Sequence, residues 1–110
     1  MRPAPPFRAL ERSIRIVCLL RSLLALIRSR DPKLHNQIRD ADSSTALNLG
    51  EGNKRQGRDR LHLFRIASGS NEDVRTALRV AIAWGYLRED RTTEVLEQID
   101  VLQAILWRLL

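Results

Sequence analysis

Lys54, Arg55, Arg58, Arg60 and Arg65 fall within twelve residues opposed only by Asp59, and Gly52 and Gly57 bound the start of the run. A guanidinium pairs with phosphate through a planar fork, so a glycine-flanked segment of this kind can gather several cations on a phosphodiester backbone without reading its bases. Arg8, Arg12 and Arg15 supply a second basic stripe at i, i+4 and i+7. Taken alone, either run reads as a solvated face.

The other chemically able residues point away from catalysis. His35 and His62 stand apart, with neither an HExxH motif nor cysteine–histidine spacing, so no metal site is expected. Cys18, the single cysteine, lies in an apolar run and reads as a small core residue. It cannot close an internal disulfide, which favours a reducing, cytoplasmic setting. Glu94, Glu97 and Asp100 form one exposed helical face. Asn48 and Glu51, three residues apart beside two glycines, are expected to satisfy backbone or neighbouring-helix polar groups. Trp84 and Trp107 could stack on bases, but packing in a core or interface is the favoured role. The expectation is a non-enzymatic protein with no cofactor.

Charge supports a polyanionic partner. Nineteen Lys and Arg against thirteen Asp and Glu leave a net +6, and seventeen of the nineteen are arginines. Residues 1–30 carry seven bases and one acid, residues 31–66 seven and five, and residues 67–110 five and seven. Such asymmetry suits a nucleic-acid-facing side or head-to-tail self-association. With 110 residues, 44% of them apolar and 29% charged, the chain has the balance of one soluble globular domain. No uninterrupted apolar stretch reaches the roughly 18 residues of a membrane span.

Proline and glycine divide the chain into stretches rich in helix formers, which defines an all-α fold. Residues 1–6 are expected to be a flexible segment and residues 7–110 the folded domain. The first helix should start near Phe7 and stop before Asp31-Pro32. It carries two apolar stripes: Leu10, Ile14, Val17 and Leu24, and, about a quarter-turn away, Ile16, Leu20, Leu23 and Ile27. A helix apolar on two faces is buried on two faces, and the second stripe is expected to join subunits.

A second helix should run from about Lys33 into Gly50-Glu51-Gly52, with Leu34, Ile38, Ala41, Thr45 and Leu49 in register. A third should span roughly Arg60 to Trp84, capped by Asp59 and ended by Gly85, with Leu61, Phe64, Ala67, Val74, Leu78 and Ala81 on one face. Within it, Gly69-Ser70 is expected to allow close helix approach. A fourth should start at Asp90 or Thr92, and its seam of Val95, Ile99, Leu102, Leu106 and Leu109 keeps a 4-3-4-3 spacing. Short connections imply antiparallel neighbours, hence an up-down-up-down four-helix bundle.

Gln37-Ile38-Arg39, Asn48-Leu49-Gly50-Glu51-Gly52, Phe64-Arg65-Ile66-Ala67-Ser68-Gly69-Ser70 and Gly85-Tyr86-Leu87 occur in that order. This combination resembles the four-helix-bundle proteins encoded in intervening sequences of bacterial 23S ribosomal RNA genes, whose pattern is Q-I-R, S-x-x-x-N-I-x-E-G, F-L-x-I-A-x-G-S and G-Y-L. Ala46 stands where many members carry proline, so the second helix is expected to run straighter. The resemblance extends to the accessory protein of diversity-generating retroelements, a basic, barrel-shaped homopentamer that binds a reverse transcriptase and nucleic acid. It implies a ring-like homopentamer in which Ile16, Leu20, Leu23 and Ile27 join subunits. It further implies RNA as the favoured nucleic acid, met by Lys54, Arg55, Arg58, Arg60 and Arg65 with Arg8, Arg12 and Arg15. A protein-interaction scaffold that uses its charge for docking, with a reverse transcriptase among its partners, is the other reading. Asn48, Glu51, Gly52, Gly69, Ser70 and Gly85 then hold the fold.

Overall fold

A computed structural model describes residues 7–110, so the expected flexible segment 1–6 lies outside the described residues. Helix α1 spans Arg8–Arg30, α2 Pro32–Asn53, α3 Gly57–Ala83 and α4 Thr93–Leu109, with a single 3-10 turn at Glu89–Arg91 before α4. The described residues contain no strand. Each helix packs on its chain neighbours and α4 closes against α1, giving an antiparallel bundle of 48 × 25 × 20 Å.

The connections follow from local chemistry. Asp31 ends α1 and starts α2: its N–H donates to the Ile27 carbonyl at 2.7 Å, its carboxylate accepts from the Leu34 N–H at 3.0 Å, and Pro32 occupies the first helical position. At the end of α3, Gly85 adopts φ +80° while the Gly85 and Tyr86 N–H groups donate to Ile82 and Ala81, both at 2.9 Å. That paired closure requires the left-handed conformation glycine adopts without strain. The third helix begins three residues before the expected Arg60. Gln56 is extended and Gly57 has φ +61°, which turns the chain into the helix directly. Asp59 therefore makes no cap; it sits in the first turn, where its charge still favours the helix dipole. Thr92 precedes α4, and its hydroxyl donates to the Glu89 carbonyl at 2.7 Å rather than capping forward. Helix α2 runs unbroken through Ala46.

One core fills the bundle. Ile16, Leu20, Leu23 and Ile27 of α1, Leu34, Ile38 and Leu49 of α2, Phe64, Val74 and Leu78 of α3, and Val95, Ile99, Leu102 and Leu106 of α4 are all buried in it. This corrects the expected subunit contact. Ile16, Leu20, Leu23 and Ile27 are no more than 3% exposed within the single chain, so none can reach a second copy. The stripe left outside is the other one: Ile14 is 45% exposed and Val17 38%, with Leu10 and Leu24 half-buried. Periodicity identifies two stripes but not which one faces inward.

Three further positions lie elsewhere than their residue types suggest. Cys18, expected in the core, is exposed on α1 beside Val17. Trp84 and Trp107 are 67% and 75% exposed and so take no part in the core of the chain. Gly69 is also exposed, and a side chain built there would meet nothing within 4 Å, so it mediates no close approach. Its neighbour Ser70 does join helices, with its hydroxyl 3.0 Å from that of Ser44 on α2. The glycine that permits contact is Gly52, where an added Cβ would lie 2.7 Å from the Phe64 ring.

Candidate nucleic-acid interface

Antiparallel topology brings the end of α2, the start of α3 and the end of α4 back beside the start of α1. That end of the bundle gathers residues 7–15, 51–65 and 103–110, which carry nine Lys and Arg against Glu11, Glu51 and Asp59. The remaining described residues hold nine bases and ten acids. Cations thus crowd the helix tips at this end, while Glu94 of α4 reaches Arg15 on its inner edge.

Two clusters make up this end. On the α1–α4 side, Arg8, Arg12, Arg15 and Arg108 line an open groove of about 930 Å³, together with Glu11, Gln98, Ile105 and Leu109. Arg12 is partly buried; its Nη1 donates to Gln98 Oε1 at 2.6 Å, which fixes the side chain along the groove, while its buried Nε has no partner. Arg15 reaches Glu94 at 3.4 Å in a solvent-exposed pair, a contact of little energetic weight.

On the α2–α3 side, Lys54, Arg55 and Arg58 project from the turn and the start of α3, all exposed. Arg55 donates from Nε and Nη2 to Glu51 Oε1 at 3.2 and 2.8 Å. The hydrogen bond and charge of Arg55 hold the Glu51 carboxyl below the usual carboxylate range, and Glu51 in turn raises Arg55. Glu51 is therefore an ion-pair partner at the rim, whereas Asn48 turns back along its own helix and donates to the Ser44 carbonyl and hydroxyl at 2.8 and 3.1 Å. Arg60 lies over the Phe64 ring, 4.9 Å from its centroid, and Phe7 stacks on the same ring with centroids 5.6 Å apart. This stack connects the beginnings of α1 and α3. Among the described residues, Arg8, Lys54, Arg58, Arg65 and Arg108 form no ion pair, which leaves their charges available to a partner.

All eight expected basic residues therefore lie toward one end, seven of them in these two clusters and Arg65 on the α3–α4 side beside Trp107. Sequence reading missed Arg108, which the return of α4 adds to the same end, and it favoured packing for Trp107, which stands exposed there. Among the described residues no group of three His, Cys, Asp or Glu could hold a metal ion, and no helix is long and apolar enough to cross a membrane.

Fold and site together define a basic four-helix bundle with a cationic end. Residues 7–108 match the 23S rRNA-intervening sequence protein family, and the chain belongs to that family. Its fold is also that of a solved protein of unknown function from the S23 ribosomal protein family of Bacteroides thetaiotaomicron, with a TM-score of 0.76 over 92% of this chain and 93% of that one, at 19% identity. No curated protein matches the chain.

Proposed function

We propose that this chain is a non-enzymatic RNA-binding accessory protein that holds structured RNA by its phosphates at the cationic end of the bundle. The observation that carries this reading is the gathering of nine bases at one end of the bundle, seven of them in no ion pair among the described residues. Rigid helices space the arginines along a surface, and phosphate contacts of that kind position an RNA without specifying sequence. Membership of a family named for 23S rRNA intervening sequences favours RNA over DNA. The resemblance to the retroelement accessory protein extends the reading to a reverse transcriptase as a protein partner.

Self-association belongs to the same proposal on a different surface from the one periodicity suggested. Leu10, Ile14, Val17 and Leu24 form an apolar flank on α1, interrupted by the exposed Arg21 and with Ile14 and Val17 exposed, and a second copy of the chain is the partner that would cover it. A ring of five such chains would multiply weak phosphate contacts into a firm grip.

Fluorescence anisotropy against a structured RNA and the matching duplex DNA, at low and physiological salt, tests the reading. Binding that weakens steeply with salt and prefers the RNA supports it. Absence of binding at low salt overturns it in favour of a protein-interaction scaffold.

A further inference from the structure

Trp107 is three-quarters exposed on the last turns of α4, at the cationic end. Burial of an indole is strongly favourable, so such exposure beside arginines marks a surface awaiting a partner. The surroundings indicate its chemistry. Trp107 forms one wall of a depression of about 260 Å³ between α3 and α4, whose other walls are Arg65, Ser68, Gln103 and Leu110.

The polar groups of this depression are held from behind. Asn71, fully buried on α3, donates to Gln103 Oε1 at 2.8 Å and to the Ile99 carbonyl at 3.2 Å. Gln103 Nε2 then donates to Ser68 Oγ at 2.8 Å. Because Ser68 Oγ accepts from Gln103, its own proton is free to be donated outward. The site thus offers a flat aromatic face, one fixed hydroxyl donor and one guanidinium with no ion-pair partner, in a space smaller than a drug-sized pocket.

From this arrangement we infer that Trp107, Ser68 and Arg65 form a site for a single unpaired nucleotide. The base stacks on Trp107, the Ser68 hydroxyl donates to an acceptor on the base edge, and Arg65 pairs with the adjoining phosphate. A paired base inside a duplex presents no free face to the indole, so the site selects single-stranded or looped segments. An apolar protein surface would leave Arg65 and Ser68 without partners, which is why a nucleotide fits this depression better than a second copy of the chain. The inference rests on the RNA-binding reading and makes it specific.

The test uses the full chain carrying Trp84→Phe, so that Trp107 is the only tryptophan, together with Trp107→Ala and Trp107→Phe in the otherwise unaltered chain. Each is titrated with a single-stranded oligouridylate and with a blunt RNA duplex of equal length, followed by anisotropy of a label on the RNA and by tryptophan emission. The expected result is quenching of Trp107 by the single strand and not by the duplex. Trp107→Ala should weaken single-strand binding about tenfold, Trp107→Phe should retain most of it, and duplex binding should stay unchanged. If both RNAs bind but Trp107 is not quenched and Trp107→Ala changes neither affinity, the nucleotide site is overturned while RNA binding stands. If Trp107→Ala alters the oligomeric state and not single-strand affinity, the indole is a protein contact and the inference fails. If neither RNA binds at low salt by anisotropy, the RNA-binding reading itself fails.

Discussion

The ring of Phe64 lies against the bare Cα of Gly52: a Cβ added there would stand 2.7 Å from Cε1 and 2.8 Å from Cδ1. Phe64 is fully enclosed, stacked on Phe7 and carrying the Arg60 guanidinium on its face, so the ring has little freedom to move aside. Gly52 therefore sets how closely α2 approaches α3 directly beneath the cationic end.

Gly52→Ala should destabilise the fold by about 1–3 kcal/mol through overpacking, despite the better helix propensity of alanine. Phe64→Leu on the same background should recover part of that stability, because it removes the clashing ring atoms. Gly69→Ala is the control with the opposite sign. It sits exposed in mid-helix with nothing within 4 Å, and alanine there should stabilise by about 1 kcal/mol. Urea denaturation of the parent and the three variants decides both points, and equal destabilisation by the two alanines would contradict the packing.

Asp42 should make stability depend on pH. It is buried on the inward face of α2, and that burial pushes its carboxyl from 3.8 up to about 7. The folded chain thus favours the protonated acid. Asp42's contribution to stability is fully present below about pH 4 and is lost as pH rises through about 7, at roughly 1.4 kcal/mol for each pH unit between those limits. Asp42→Asn removes this titration. Its stability relative to the parent chain should rise between pH 4 and pH 8, by a few kcal/mol in order of magnitude. A constant difference across that range would mean that the carboxylate finds a compensating partner.

The fold is legible in the sequence because its signals are local. Pro32 and Gly85 break helices by backbone geometry alone, and the seam Val95, Ile99, Leu102, Leu106 reports a buried face by spacing alone. Which of two equally apolar stripes on α1 faces inward depends on the other three helices, and spacing within α1 carries no information about them. The basic residues of the candidate site are identifiable by composition. Their joining into one end requires topology: once α1 runs up and α4 runs down, Arg108 must lie beside Arg8. Asp42 and Asn71 escape a reading of the sequence because a polar residue at a core position carries no mark beyond its place in the helical repeat.

Cys18 offers a chemical check on the orientation of α1. Its thiol is exposed, one residue from Val17 on the uncovered flank. In the folded chain diluted to a monomer it should react with a maleimide or disulfide reagent at a rate close to that of the unfolded chain. Protection in the native state that disappears on dilution would place the thiol beneath a second copy. Protection that persists at every concentration would contradict the assigned orientation.

Charge reversal separates phosphate contacts from general attraction. Arg8, Lys54 and Arg58 belong to the two basic clusters and form no ion pair among the described residues, so glutamate at these positions removes cations without orphaning an internal acid. The triple variant should fold as the parent does, since all three side chains are exposed. Its RNA affinity should drop, and the slope of log affinity against log salt should shrink by about 0.7–0.9 for each phosphate no longer neutralised. The matching control reverses Arg28, Arg79 and Arg91 toward the far end of the bundle, all exposed and in no ion pair among the described residues, which leaves the cationic end intact. If both sets weaken binding equally and alter the slope equally, RNA is attracted by net charge alone and the end-specific interface is wrong. A drop confined to the first set, with the oligomeric state unchanged by light scattering, assigns the phosphates to the end where α1, α3 and the α2–α3 turn meet.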